Sequence, residues 1–240
     1  METSYSAYDE SASLLRIDEI LDARDALYEE VDSIPSRDKL TFTNGFYVNC
    51  SALFVDIRGS SSLPDKYKRP TLAKIYRAYI SESVAIINGN SDCAEVNITG
   101  DSVAGIFNTP YKSSIDTLFG TAARINSLID ILNCKLRKRS IDPIRAGIGM
   151  AYGRALMIKA GYKGSSINDV VWMGDVINRA AKLCSFGSKN TWDPPIMVSR
   201  VFFNNLNEHN RGLLQFNYSL DCYTGNVVNT SMKTWYDANC

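Results

Sequence analysis

Two aspartates, each at the point where a predicted strand meets a turn, are the residues best placed to do chemistry in this chain. Asp56 follows the short apolar run of residues 52–55 and precedes Gly59 and three serines. Asp101 lies in the two-residue connection between two further predicted strands. A carboxylate at the end of a buried strand requires compensation, although each aspartate by itself is also typical of a cap, an ion pair or a turn.

The predicted elements around these aspartates decide whether the two meet. In chain order the pattern predicts a strand at 52–55, a helix at 72–87, strands at 93–99 and 102–107, a helix at 115–136 and a strand at 144–150. Gly100-Asp101 between the middle strands fits a type II′ hairpin. This order is that of a ferredoxin-like βαββαβ core, an α+β fold with one sheet and helices on one face. In that layout the end of the first strand lies beside the hairpin tip, so we expect Asp56 and Asp101 to face each other.

Facing carboxylates need a partner. Two unpaired carboxylates in one cleft repel, and neither histidine nor cysteine is close to them in the predicted layout. Oxygen ligands alone favour Mg²⁺ or Mn²⁺. Two such ions would be ready for phosphoryl chemistry, with the backbone amides of the Gly59 turn available to a phosphate.

The flanking segments divide the chain in two. Apolar residues recur at helical spacing from Leu14 to Val31 and stop before Pro35, which predicts one amphipathic helix that packs on the main body or on a second copy. Turn residues at 43–45 then separate an N-terminal helical extension, 1–44, from the main domain, 45–240. Later elements are predicted as strands at 170–173, 196–198, 213–218 and 227–236 and helices at 176–184, with Asp175 as its N-cap, and 201–206.

Composition excludes several classes of function. Lys+Arg 26 balance Asp+Glu 26 in 240 residues, so no global basic field favours nucleic acid, and the basic run 135–139 is typical of a solvated helix end. Six cysteines without a CxxC pair and the single His209 argue against zinc and against a histidine-dependent triad. Such scattered cysteines are typical of reduced thiols. Without a long apolar run or a signal-peptide pattern, we expect a cytoplasmic protein that does not bind membranes.

Four motifs in the right order resemble the class III nucleotidyl cyclases, the adenylate and guanylate cyclase family. They are Phe-Val-Asp-Ile-Arg-Gly-Ser at 54–60, Thr-Gly-Asp-Ser at 99–102, Arg-Ala-Gly-Ile at 145–148 and Gly-Asp-Val-Ile-Asn-Arg-Ala-Ala-Lys-Leu at 174–183. The resemblance covers about residues 46–240. It implies two Mg²⁺ or Mn²⁺ ions held by Asp56, Asp101 and the backbone carbonyl of Ile57. It also implies a homodimer whose active sites lie across the interface, with substrate bound at Ile57, Arg58, Gly59 and Ser60.

Further catalytic residues follow from the resemblance. Asn178 and Lys182 lie one helical turn apart, so they project from one face. A polar stripe on a surface helix explains them equally well, but Asn disfavours helix interiors. The resemblance implies that Asn178 orients the ribose and Lys182 stabilises charge at the α-phosphate. Most family members have Arg there, so the geometry differs or Arg179 takes part of the role. Arg145 matches an arginine that contacts the triphosphate, with an exposed strand-edge residue as the alternative.

The residues expected at the base depart from both purine patterns. Adenylate cyclases typically present Lys with Asp or Thr, and guanylate cyclases Glu with Cys, whereas Asn97 and Val171 occupy these positions. An amide can pair with uracil or cytosine, although a solvated strand asparagine remains the alternative. In this the chain resembles the pyrimidine cyclases of bacterial antiphage (Pycsar) systems, and Tyr47 or Trp172 is expected to fill space beside a small base. We expect UTP as substrate, then CTP, ahead of ATP.

The implied reaction is attack of the ribose 3′-hydroxyl on the α-phosphate of the same nucleoside triphosphate. It yields a 3′,5′-cyclic monophosphate and pyrophosphate, a second messenger for antiphage defence that acts through an effector binding the product. The alternatives are an adenylate cyclase, a catalytically dead nucleotide sensor, a diguanylate-cyclase-like palm and a non-enzymatic interaction module. Loss of turnover in Asp56→Ala would exclude the sensor. The hairpin lacks the palm's Gly-Gly-Asp/Glu-Glu-Phe motif, and an interaction module would bind neither metal nor triphosphate.

Overall fold

The computed structural model describes residues 5–240, so the first four residues of the predicted N-terminal extension lie outside it. Its helices are α1 (Glu10–Leu21), α2 (Leu63–Lys66), α3 (Arg69–Asn88), α4 (Lys112–Arg137), α5 (Asp175–Phe186), α6 (Arg200–Asn205), α7 (Glu208–Gly212) and α8 (Thr230–Asn239). Its strands are β1 (Tyr28–Val31), β2 (Gly45–Ile57), β3 (Cys93–Thr99), β4 (Ser102–Phe107), β5 (Ala146–Gly161), β6 (Asn168–Met173), β7 (Ile196–Val198), β8 (Gln215–Asn217) and β9 (Cys222–Gly225). None of the helices within this range is long and apolar enough to cross a membrane.

All strands join one nine-stranded sheet in the order β3-β4-β2-β5-β7-β9-β8, with β1 paired to β2 and β6 to β5. The segment β2-α3-β3-β4-α4-β5 forms the predicted βαββαβ core, and its strands lie in the ferredoxin-like spatial order. The β3–β4 connection is the predicted two-residue hairpin, in which Gly100 has a φ of 63°. The predicted fold class is therefore confirmed, while β2 and β5 extend well beyond the predicted strands.

The two faces of the sheet have different cores because side chains alternate along β2. Leu53, Val55 and Ile57 are buried in the larger core, which lies under α3 and α4. Val48, Cys50 and Ala52 are buried in a smaller core under α5, on the opposite face. By the same alternation, Asp56 shares the α5 face.

The N-terminal helix ends earlier than predicted. Helix α1 stops at Leu21, and residues 28–31 form β1, which pairs in parallel with β2 from Tyr28↔Gly45 to Val31↔Val48. The single helix predicted from the spacing of apolar residues therefore joined two separate elements. Val31 packs on the sheet rather than on α1. Helix α1 has no buried residue and contacts the rest of the chain through a Lys163–Glu19 ion pair and Arg16 over the Tyr162 ring.

Two further predictions were wrong near the C-terminal half. The segment predicted as a strand at 227–236 contains α8, because the Asn229 side chain accepts a hydrogen bond from Met232 N at 3.1 Å and caps the helix. Asp175 is the first residue of α5 and not its N-cap, which is Gly174 with a φ of 131°.

The prediction of reduced cysteines holds for only four of the six. Cys50, Cys93, Cys184 and Cys222 are free. Cys134 of α4 and Cys240 form a disulfide that ties the C-terminal segment to the helix layer. The two residues are separated by 106 positions, so no local spacing indicated the pair.

Candidate active site

The two aspartates meet at one end of the sheet. β2 and β4 are antiparallel with Val55 opposite Val103, which brings the end of β2 beside the turn that holds Asp101. Burial raises the pKa of Asp56, the Asp101 carboxylate raises it further, and Arg58 lowers it. The Oδ2 atom of Asp101 is buried without a hydrogen-bond partner. The expected juxtaposition of Asp56 and Asp101 is therefore present in the fold.

This carboxylate pair fits a divalent cation better than it fits any protein partner. A buried carboxylate oxygen without a donor is costly unless a cation or proton satisfies it. The residues available are Asp56, Asp101 and the backbone carbonyl of Ile57, all oxygen donors, which Mg²⁺ accepts while it keeps several waters. No group of three or more His, Cys, Asp or Glu side chains able to hold a metal occurs in residues 5–240.

Arg58 ties the end of β2 to the C-terminal end of α5. Its guanidinium donates to the carbonyls of Cys184 at 3.1 Å and Ser185 at 3.4 Å, where a positive charge complements the helix dipole. It also contacts Asp56 Oδ2 at 3.2 Å and is only 13% exposed. The side chain predicted to bind substrate thus points into the junction behind Asp56. Its positive charge lowers the pKa of the Asp56 carboxyl and opposes the effects of burial and Asp101.

The turn after β2 has the predicted glycine. Gly59 has a φ of 69°, a conformation that favours glycine, and residues 60–62 form a single tight helical turn before α2. The Ser62 hydroxyl donates to the Gly59 carbonyl at 2.8 Å. From α3, the Tyr76 hydroxyl donates to the Ser60 carbonyl at 3.5 Å. The turn is therefore braced by its own side chains and by α3.

A cleft of about 250 Å³ brings together the residues expected at the base. It is lined by Phe54, Asn97, Thr99, Ser102, Ala104, Ile106, Val170, Val171, Trp172 and Ile177. Asn97 and Val171, predicted from different strands, thus share one cleft. Tyr47, expected beside the base, is not among the residues of this cleft, because its position in β2 puts its side chain on the opposite face of the sheet from Phe54. It lines a separate cleft with Met173 and Gly174, where the Arg154 guanidinium carbon lies 4.0 Å from the centre of its ring.

Sequence reasoning missed Glu95, which lies beside this cleft. Its carboxylate accepts from Asn97 Nδ2 at 3.0 Å and from Trp172 Nε1 at 3.1 Å. Strand alternation placed residues 95 and 97 on one face. The contact with Trp172 joins β3 to the distant β6 and had no local signal.

Asn178 and Lys182 lie together on the outer face of α5. Both residues are exposed, whereas Val176, Ala180, Leu183 and Cys184 of the same helix are buried against the sheet. Arg145 is also exposed, and its carbonyl accepts from Arg58 N at 2.7 Å just before β5. These three side chains therefore point away from the core of their own chain.

The comparisons with known proteins agree on one family. No protein-family model matches the chain. It is 43% identical over 216 residues to the uridylate cyclase of Gulbenkiania mobilis, and the aligned residues cover 87% of this chain and 83% of that protein. It is 39% identical over 219 residues to the uridylate cyclase of Treponema porcinum, covering 90% and 76%.

Solved structures agree on the fold. The adenylyl cyclase CyaB from P. aeruginosa superposes with a TM-score of 0.60 at 17% identity, covering 72% of this chain and 85% of CyaB. A likeness at that identity concerns the fold alone, whereas the sequence relatives extend over most of both chains. The resemblance carried by the four motifs is confirmed, and this chain belongs to the uridylate cyclase family of class III nucleotidyl cyclases.

Proposed function

We propose that this protein is a metal-dependent uridylate cyclase that converts UTP to 3′,5′-cyclic UMP and pyrophosphate. The observation that carries the proposal is the Asp56–Asp101 pair, with a buried and unpartnered carboxylate oxygen, at the position where the family motifs predict it. The relatives named uridylate cyclase supply the substrate in the proposal.

Asp56, Asp101 and the Ile57 carbonyl would hold two divalent ions, Mg²⁺ or Mn²⁺. When bound, such ions lower the pKa of a ribose hydroxyl and neutralise a triphosphate. The bond that forms joins the 3′-oxygen to the α-phosphorus, the bond to the bridging oxygen of pyrophosphate breaks, and the hydroxyl proton leaves to solvent. The role of the protein is to hold these atoms in line.

The exposed residues of α5 would act on the same substrate. In the proposal Asn178 orients the ribose and Lys182 stabilises the charge that develops at the α-phosphate, while Arg145 contacts the triphosphate. A lysine there supplies a point charge without the bidentate fork of arginine. Arg179 is a weaker candidate for that role, because its guanidinium already donates to the Asp221 carbonyl at 2.6 Å.

We further propose a homodimer with shared active sites. The carboxylate pair lies at the end of β2 and β4, whereas Asn178 and Lys182 face outwards from α5. A second copy that covers α5 with its own carboxylate pair would complete two equivalent sites, as two-fold symmetry requires. The outward direction of Asn178 and Lys182 therefore favours an active site built from two chains over one built within a single chain.

Turnover of each nucleotide tests the proposal directly. Purified protein is incubated separately with UTP, CTP, ATP and GTP in Mn²⁺, and products are identified by mass spectrometry. We expect cyclic UMP as the dominant product, some cyclic CMP at most, and no product in EDTA or from Asp56→Ala. Dominant cyclic AMP would favour an adenylate cyclase, and nucleotide binding without any product would favour a sensor.

The biological role belongs to the same proposal. We expect the protein to act in the cytoplasm, where cyclic UMP reaches an effector and contributes to antiphage defence. The test is a phage challenge of bacteria that carry the protein with its native neighbouring genes. Protection by the wild type that is lost in Asp56→Ala supports the role, and equal plaque counts contradict it.

A further inference from the structure

Two hydrogen-bond donors and one cation surround the Glu95 carboxylate. Asn97 Nδ2 donates to Oε1 at 3.0 Å, Trp172 Nε1 donates to Oε2 at 3.1 Å, and Arg37 Nη2 lies 3.6 Å from Oε2. The Glu95 side chain is only 9% exposed. Trp172 Nε1 and the Arg37 guanidinium have no acceptor sites, so they match Glu95 as an ionised carboxylate, which has acceptor sites only.

This arrangement fixes which end of the Asn97 amide faces Glu95. The oxygen and nitrogen of an asparagine amide have nearly the same shape, but only the nitrogen can donate to a carboxylate. Nδ2 must therefore point to Glu95, and Oδ1 takes the other side. Oδ1 has no hydrogen-bond partner among residues 5–240, and Asn97 lines the cleft. The amide thus meets a base in one orientation.

Uracil and cytosine present donors and acceptors in opposite order along the edge that an asparagine amide can contact. Uracil presents an N3–H donor beside an O4 acceptor, whereas cytosine presents an N3 acceptor beside an N4 amino donor. With the ribose held in place, an amide matches one base in one orientation and the other base after a half turn. A site that fixes polar groups rejects an analogue that leaves them unpaired far more strongly than an apolar pocket does.

We infer that Glu95 is a positioning residue that locks the Asn97 amide in the orientation complementary to uracil and thereby sets the preference for UTP over CTP. The inference rests on the proposed uridylate cyclase function and deepens it. Trp172 holds the second oxygen of Glu95, and Arg37 adds its charge from the segment before β2. The specificity of the cleft is thus determined partly by a residue that is not itself among its lining residues.

The test is Glu95→Gln, which keeps the size of the side chain but offers Asn97 both a donor and an acceptor. The amide can then turn, so we expect the ratio of kcat/KM for UTP to that for CTP to fall about tenfold or more, chiefly through a gain with CTP. Glu29→Gln, the same change at an exposed position of β1, should leave the ratio at the wild-type value. If Glu95→Gln does not fold, Glu95→Asp withdraws the carboxylate from Asn97 and should shift the ratio in the same direction.

A double variant separates positioning from general damage. In an Asn97→Ala background no amide remains to be oriented, so adding Glu95→Gln should not change the ratio further. An unchanged ratio in the single variants, or an equal change with and without Asn97, overturns the inference while wild-type production of cyclic UMP stands. Failure of the wild type to prefer UTP would instead be seen before any variant is made, and it would overturn both the function and this inference.

Discussion

At the residue scale, the carboxylate pair is a destabilising arrangement that the fold maintains. Asp56 and Asp101 disfavour each other's charge, and Asp101 Oδ2 has no donor. Arg58 offsets part of this cost at 3.2 Å from Asp56. Sites that bind a cation commonly trade stability for function in this way.

Asp101→Asn tests that trade. The variant removes one charge and gives Asp56 a donor, so in EDTA we expect its stability to rise by roughly 0.5–1.5 kcal/mol, the net value of a typical hydrogen bond. Activity should fall at least about 100-fold, because the proposed metal site loses one of its ligands. Thermal unfolding with EDTA and with Mn²⁺ gives the measurement, and the wild type should gain stability from Mn²⁺ whereas Asp101→Asn should not.

Asp32→Asn, an exposed position, serves as the matched control for that experiment. It should behave as the wild type in both conditions. An Asp101→Asn protein that unfolds at a lower temperature than the wild type in EDTA would show that the pair is not a source of strain. Equal stabilisation of the wild type and Asp101→Asn by Mn²⁺ would show that Asp101 is not a ligand of the proposed metal site.

The residues of the site differ in how far the sequence could predict them. Asp101 could be predicted from the sequence because Gly100-Asp101 between two alternating runs is a strong hairpin signal. Asn178 and Lys182 could be predicted because one helical turn separates them. Glu95 could not be predicted, since its role depends on Trp172, a contact across 77 positions that no local pattern encodes.

At the element scale, the position of α5 depends on the absence of side chains on β5. A Cβ at Gly149 would collide with the backbone nitrogen of Cys184 and the carbonyl of Ala180, and one at Gly147 would collide with the Cys184 carbonyl. These neighbours are helix backbone and cannot turn aside. The two glycines therefore let α5 lie directly on the sheet, which sets the position of Asn178 and Lys182.

Gly149→Ala is expected to push α5 off the sheet and lower the free energy of unfolding by about 2–3 kcal/mol, in the upper range of overpacked cores. Gly153→Ala on the same strand is the matched control, because its Cβ would lie 3.6 Å from Val176 Cβ, an ordinary contact. Urea unfolding of both variants gives the comparison. Equal stabilities would mean that α5 does not depend on this close approach.

Elements were predictable in proportion to their length and regularity. Helices α3 and α4 have long apolar stripes and were predicted within a few residues of their bounds. The N-terminal pattern failed because residues 28–31 owe their strand to pairing with β2, which local spacing cannot reveal. The Asn229-Thr230-Ser231 start of α8 carried a capping signal that the apolar pattern of 227–236 obscured.

At the scale of the whole molecule, the proposed site has two parts on each chain. The carboxylate pair and the outer face of α5 are each intact within a chain, yet Asn178 and Lys182 turn away from their own sheet. The βαββαβ order was predictable because it follows from element order alone. The proposed dimer is not encoded in that order, because an interface depends on surfaces that only a complete fold defines.

Mixing two inactive variants tests whether the sites are shared. In a dimer of Asp56→Ala with Asn178→Ala, one site carries both changes and the other carries neither. Random pairing makes half of the dimers mixed, so coexpression should recover about a quarter of wild-type activity if the sites lie across a two-fold interface. Coexpression of Asp56→Ala with Asp101→Ala should recover none, because both residues belong to the same half-site. Equal activity in the two mixtures, with mixed dimers confirmed by mass spectrometry, would place each complete site within a single chain.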